Sequence, residues 1–291
     1  MKKKIMALAL AMIMVFALCA CGTKTDDPKT EKVKFVMLEE PISTEQYGIA
    51  FRKGDVELAT TVKETLDEMW ADGTFMSIAE EFGNGLPEMV CYDEAAVIPA
   101  EGAEPIANEG RTTFTVGFDA EYPPYGYKDE NGEYIGFDLS LAAEVCTRQG
   151  WELKLQPIDW DSKDMELNSG TIDVIWNGMT MTGRESEYTW VGPYVDNSIV
   201  MVVREDSGIT TLAQLEGKNI ITQSGSSAYT ALTDDPGDGS NDANLALAAT
   251  FAKLEQTPDY NTAFMNIESG VNDAVAVDIG VANYQLASRN G

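Results

Sequence analysis

Asp173-Val174-Ile175-Trp176-Asn177-Gly178-Met179-Thr180-Met181-Thr182-Gly183-Arg184 begins as an apolar run and ends on a cation. Val174-Ile175-Trp176 reads as a buried strand. Asn177, Gly178, Thr180, Thr182 and Gly183 then turn the chain polar and flexible before Arg184. A strand that leaves a core and delivers small hydroxyls, bare backbone and a guanidinium to one place is suited to holding a carboxylate. Arg offers a rigid bidentate fork, and Thr hydroxyls with Gly N–H groups complete the cradle. On these residues alone, a surface loop whose arginine pairs with an exposed glutamate is the plainer reading. The rest of the chain reverses that order.

Composition narrows the chemistry. The 291 residues hold 48 acids, 20 bases and no histidine, a net charge of −28. Without histidine, Ser-His-Asp and Cys-His catalysis and the usual zinc sites are excluded. A carboxylate pair of the glycosidase kind survives the arithmetic, but no motif places two acids on one site. The charge excludes nucleic acid bound through phosphate neutralisation and a flat seat on an anionic bilayer. No cofactor or metal is implied.

Lys2-Lys3-Lys4 followed by an apolar run over residues 5–20 reads as a secretory signal peptide, residues 1–20. Its removal takes away three lysines and no acids, so the charge falls to −31. The run ends Leu18-Cys19-Ala20-Cys21-Gly22, which resembles a bacterial lipobox with Cys21 as the lipidated residue. A plain cleavage site with chance cysteines is the alternative. Residues 21–32 are polar and read as a tether. Cys91 and Cys146 are one possible pair, not a disulfide framework.

Further on, Val33-Lys34-Phe35-Val36-Met37-Leu38 and Gln46-Tyr47-Gly48-Ile49-Ala50-Phe51 read as strands. Asp55 is placed as an N-cap, and Val56, Ala59, Val62, Leu66 and Trp70 recur at helical spacing behind it. A second helix covers residues 75–82. Residues 86–110, with Pro87, Pro99 and Pro105, read as a flexible linker. Strands are then predicted at residues 114–119, 151–156, 173–176, 198–204, 219–222, 250–254 and 273–278, with helices at 138–149, 212–216, 261–267 and after Asp278. Residues 234–241 read as turn-rich.

Two parts of this chain resemble one family, the polar amino-acid-binding proteins of bacterial ABC importers (extracellular solute-binding protein family 3). Phe114-Thr115-Val116-Gly117-Phe118-Asp119, Tyr122-Pro123-Pro124-Tyr125-Gly126-Tyr127, Tyr134-Ile135-Gly136-Phe137-Asp138 and Val191-Gly192-Pro193-Tyr194 are similar to the family's N-terminal part. Glu39-Glu40-Pro41, Gln46-Tyr47-Gly48-Ile49-Ala50-Phe51-Arg52-Lys53-Gly54-Asp55 and Ala71-Asp72-Gly73-Thr74-Phe75 look like its C-terminal part. Here that part comes first, so the resemblance implies a circular permutation. A fusion scar joining pieces of two binding proteins is the second reading.

The resemblance covers nearly all of the chain beyond the tether. It implies an α/β, two-lobe periplasmic-binding-protein-like (type II) clam-shell, each lobe a sheet flanked by helices. Residues 33–40 and 200–291 would form lobe 2, residues 41–85 and 111–199 lobe 1, and residues 86–110 the permutation linker. Crossings are expected near residues 196–203 and 39–47.

By resemblance, Arg184 takes the α-carboxylate of a free amino acid, after a one-residue gap relative to many relatives. Thr180 and the Gly178 backbone assist it. Ser226 and Ser227 open a helix whose N–H groups suit the same carboxylate, although an ordinary N-cap explains that turn equally well. Asp278 matches the position that takes the α-ammonium, and it also stands where the last helix needs an N-cap. Asp119, Tyr122, Tyr125 and Trp160 line the side-chain pocket, and Asn177 is a further contact. An acid at position 119 favours a cationic or amide ligand. The function implied is a monomeric, lipid-anchored receptor on the outer face of the cell membrane that delivers its amino acid to the permease of an ABC importer. An extracellular sensor domain of the same fold, or a carboxylate-dependent hydrolase, is the alternative.

Overall fold

Two long strands carry the architecture of this computed structural model, which describes residues 32–108 and 110–291. The signal peptide, Cys21 and all but the last residue of the tether fall outside them. In chain order the elements begin with β1 (Phe35–Met37), β2 (Ser43–Phe51), α1 (Val56–Ala71), α2 (Thr74–Phe82), α3 (Leu86–Met89) and β3 (Ala96–Ile98). Next come β4 (Thr113–Phe118), β5 (Glu121–Tyr122), β6 (Gly126–Lys128), β7 (Tyr134–Ile135), α4 (Phe137–Gln149), β8 (Glu152–Pro157), α5 (Lys163–Ser169), β9 (Val174–Thr180) and β10 (Thr189–Arg204). β11 (Asn219–Gln223), α6 (Ser227–Thr233), α7 (Asp242–Ala248), β12 (Lys253–Thr257), α8 (Tyr260–Ser269), β13 (Ala274–Asp278) and α9 (Ile279–Asn290) complete it.

The main sheet runs β12-β11-β13-β10-β2-β9-β4-β8. At one end β8, β4 and β9 are parallel and β2 joins antiparallel; at the other β12, β11 and β13 are parallel and β10 joins antiparallel. β10 has 16 residues, enough at ~3.3 Å per residue to serve both ends. Its residues from Thr189 to Ile199 pair with β2, and Ile199–Val203 pair with Asp278–Ala274. The sheet therefore forms two α/β lobes joined through β2 and β10.

Strand side chains alternate between two buried faces, as parallel sheets covered on both sides require. Val200, Val202, Val275 and Val277 enter one core, which also holds Val174 and Trp176 of the first lobe. Ile199, Met201, Val203, Ala274 and Ala276 enter the core on the second lobe's other face. Ile175, Met179 and Trp190 enter the matching core of the first. α1 buries Leu58, Ala59, Val62, Leu66 and Met69. Each full burial of a large apolar side chain contributes on the order of 1.5–3 kcal/mol.

Three local readings are corrected. Asp55 stands at the N-cap of α1, but its side chain makes no cap bond. Its carboxylate instead takes Arg52 Nη2 at 2.9 Å and the Asn108 amide, a stronger, charge-assisted partner than an orphan N–H. Residues 86–110 are not a free linker. They hold α3, β3 paired with Trp190–Gly192 of β10, and an Ile106 N–H bond to Gly54 O. Prolines dominated the sequence reading, whereas Tyr92, buried against Trp70 and Phe75, anchors the segment. Finally, α7 lies just beyond the turn-rich residues 234–241 and was not foreseen.

Candidate functional site

Open α/β sheets bind ligands beyond the carboxyl ends of their parallel strands. In this chain those ends face each other. From the first lobe come Asp119 after β4, Tyr122 on β5, Trp160 after β8, and Asn177, Gly178 and Thr180 on β9. From the second come Gln223 at the end of β11, Ser226 and Ser227 at the start of α6, and Asp278 at the end of β13. Tyr122, Trp160, Asn177, Gly178 and Thr180 meet Gln223, Ser226, Ser227 and Asp278 around one pocket of about 10 Å³, roughly the space of one water.

The lobes touch directly. Gln223 Nε2 donates to Asp119 Oδ2 at 2.5 Å, and Ser224 Oγ donates to Asp161 Oδ2 at 2.7 Å. The Tyr122 and Tyr260 rings lie 5.9 Å apart. Gly225, at φ +65°, passes so close that a Cβ there would sit 2.5 Å from Asp161 Oδ1.

Asp278 is 2 % exposed. Its Oδ1 accepts from Tyr47 Oη and Asn197 Nδ2, both at 2.7 Å. It stands at the N-cap of α9 without a side-chain cap bond, so its carboxylate serves the cleft network. Burial holds its pKa above the usual carboxylate range, while those hydrogen bonds oppose the rise. Asp119 accepts the Glu121 N–H at 2.8 Å in addition to Gln223, and burial pushes it up to about 6. Asn177 Oδ1 accepts the Asp119 N–H at 3.0 Å, whereas Asn177 Nδ2 is buried without a partner. Ser226 Oγ caps α6 by accepting the Tyr229 N–H.

Gly178 has φ +57°, and a Cβ there would lie 2.8 Å from Tyr122 and 2.9 Å from Tyr47. Its N–H, read from sequence as a ligand donor, is already taken by Asp138 Oδ2 at 2.6 Å. Tyr194 Oη donates to the same oxygen at 2.8 Å, and burial pushes Asp138 up to about 7. Tyr125 does not line the pocket. It is fully buried behind Tyr47 and Tyr122, with its hydroxyl against Gly280.

Arg184 faces the neighbouring groove of about 860 Å³, which Thr180 and Ser227 also line. Its Nη1 lies 3.4 Å from Thr180 O, and it enters none of the ion pairs among the described residues. Lys163 Nζ sits 5.3 Å over the Trp160 ring. Glu45, Tyr47, Asn197 and Gln223 were not singled out in the sequence. The first three lie on the crossing strands β2 and β10, where the residues were read as backbone passing between lobes. Gln223 ends β11, three residues before Ser226, and could have been found there as a polar side chain at a strand's carboxyl end.

Residues 114–276, more than half of the chain, match the bacterial extracellular solute-binding proteins, family 3. The chain belongs to this family. It is 32% identical over 121 residues to the arginine-binding extracellular protein ArtP of Bacillus subtilis strain 168, covering 41% of this chain and 47% of that protein. It is 30% identical over 179 residues to the L-cystine-binding protein TcyA of the same strain, covering 60% and 61%. The chain thus spans about half to two thirds of the length of the curated relatives it matches. A histidine-bound substrate-binding protein of an ABC uptake transporter from Streptococcus pneumoniae is 35% identical with a TM-score of 0.55, covering 61% of this chain and 70% of that one. An ancestral arginine-binding protein bound to arginine is 31% identical with a TM-score of 0.54, covering 62% and 76%. Family membership and these likenesses establish the type II, amino-acid-binding-protein fold.

Proposed function

We propose that this family member captures a free amino acid between its lobes and delivers it to the permease of an ABC importer. One observation carries the reading: Thr180 and Asn177 from one lobe and Ser226, Ser227 and Asp278 from the other converge on a single pocket. Small hydroxyls and a helix start suit the α-carboxylate, with Arg184 reaching in from the adjoining groove, and Asp278 suits the α-ammonium. A buried Asp119 with Trp160 beside it favours a cationic or amide side chain, and the relatives named for arginine support that class. We read the chain as a monomeric receptor rather than a catalyst.

An amino acid does not fit the pocket with the lobes apposed, so entry requires them to part. Ligand then stabilises the apposed form by its differential affinity for it. We assign residues 33–40 and 200–291 to one lobe and residues 41–85 and 111–199 to the other. The hinge then lies where Asn197–Ile199 pair with Glu45–Ser43. We further propose that the chain is circularly permuted. β2, from residues outside the matched stretch, is inserted between β9 and β10, and residues 86–110 join the two parts along the first lobe. Signal peptide, residues 21–32 as tether and a lipid on Cys21 complete the proposal, with the protein held at the outer face of the cell membrane.

A thermal-shift screen of protein unfolded and refolded to strip carried-over ligand tests the function. At 100 times its dissociation constant a true ligand adds ~2.7 kcal/mol of stability. A selective shift with arginine, lysine, ornithine, glutamine, histidine or cystine is the expected outcome; no shift with any amino acid would sink it.

A further inference from the structure

Glu45 occupies an unusual place for an acid. It lies on β2, is 9 % exposed, and has no cation among its hydrogen-bond partners. Its Oε1 accepts three hydrogen bonds: from Thr180 Oγ1 at 2.6 Å, Asn197 Nδ2 at 2.8 Å and Ser227 Oγ at 3.0 Å. Thr180 belongs to the first lobe, Ser227 to the second, and Asn197 to the crossing strand β10. One oxygen therefore ties both lobes and the hinge together.

The donors matter as much as the count. Thr180 and Ser227 line both the closed pocket and the groove that holds Arg184. They are the hydroxyls that a bound carboxylate would use. Asn197 Nδ2 is shared between Glu45 and Asp278, which brings two acids to one amide. Like charges so close are unfavourable, and burial with the Asp278 charge pushes Glu45 up to about 7. The three donors offset that cost only while the lobes are together, because the Ser227 bond is lost when they separate.

Resting on the hinge reading above, we infer that Glu45 is an internal carboxylate latch. It takes donors from both lobes in place of a ligand carboxylate, holds the lobes together without added amino acid, and must give up Thr180 and Ser227 when a ligand carboxylate binds.

Small-angle scattering of the full chain without amino acid reads this directly. E45A should shift the radius of gyration upward, because Thr180 and Ser227 lose the acceptor they share and the Gln223–Asp119 and Ser224–Asp161 bonds are left to hold the cleft. S227A, which removes only the second lobe's donor and leaves the α6 cap on Ser226, should shift it the same way. E45Q keeps an acceptor oxygen and should stay at the wild-type radius. Circular dichroism separates opening from unfolding. If E45A unfolds, S227A decides. A folded E45A, or S227A in its place, at the wild-type radius overturns the latch. The readout uses no amino acid, so its failure is distinct from failure of the ligand assignment.

Discussion

The Asn290 side chain brackets Phe35: its Oδ1 accepts the Phe35 N–H and its Nδ2 donates to the Phe35 carbonyl, both at 2.9 Å. Residues 255 positions apart in sequence thus share a two-point contact of the kind that neighbouring strands make. α9 and β1 lie side by side in the second lobe, and β1 pairs with Val202–Arg204 of β10.

That adjacency makes a permutation testable by undoing it. A chain with residues 33–110 moved as one piece after Gly291, so that α3, β3 and Tyr92 stay with α1 and α2, should fold to the same two lobes. We predict near-identical circular dichroism and amino-acid selectivity, since exposed junctions tolerate relocation. A rearranged chain that fails to fold, while one keeping the present order without its first 32 residues folds, would contradict the permutation.

Arg184 carries the second prediction. It enters none of the ion pairs among the described residues, and its Nη1 donates to the Thr180 carbonyl at 3.4 Å, so the fold does not rest on its charge. R184A should leave the melting temperature without ligand nearly unchanged and weaken amino-acid binding by roughly 2–5 kcal/mol. Unaltered affinity by calorimetry would remove Arg184 from the site.

Asp138 sets a pH dependence. Burial raises its folded pKa to about 7, above an unfolded value of about 3.9. The folded chain therefore keeps a proton that the unfolded chain releases. The stability this contributes is complete below about pH 4 and is lost as pH rises through about 7. Glu45 and Asp119 act in the same direction. Wild-type melting temperature should fall between pH 5 and pH 8, and D138N should flatten that slope. An equal slope in D138N would show that Asp138 ionises normally.

How much of this was legible beforehand follows from what each residue does locally. The start of β9 was readable because an apolar triplet signals a buried strand, but the strand runs on, buried, through Asn177–Thr180, where the polar residues read as a flexible turn. Asp119, Tyr122, Trp160, Thr180, Ser226, Ser227 and Asp278 were reachable because each stands at or just beyond a strand's end or at a helix's start. Tyr125 and the Gly178 N–H were misjudged because burial behind Tyr47 and capture by Asp138 arise from segments 78 and 40 residues away. Glu45 was invisible for the same reason. In sequence it is one acid among 48, and only the meeting of β2 with β9, β10 and α6 gives its oxygen three donors.

The most direct test of the central claim is a calorimetric titration of stripped, refolded protein with L-arginine, followed by lysine, ornithine, glutamine, histidine and cystine. The account predicts one ligand per chain, saturable heat for at least one of them, and its loss in R184A. A cooperatively folded protein that gives no binding heat with any amino acid at several temperatures would contradict it.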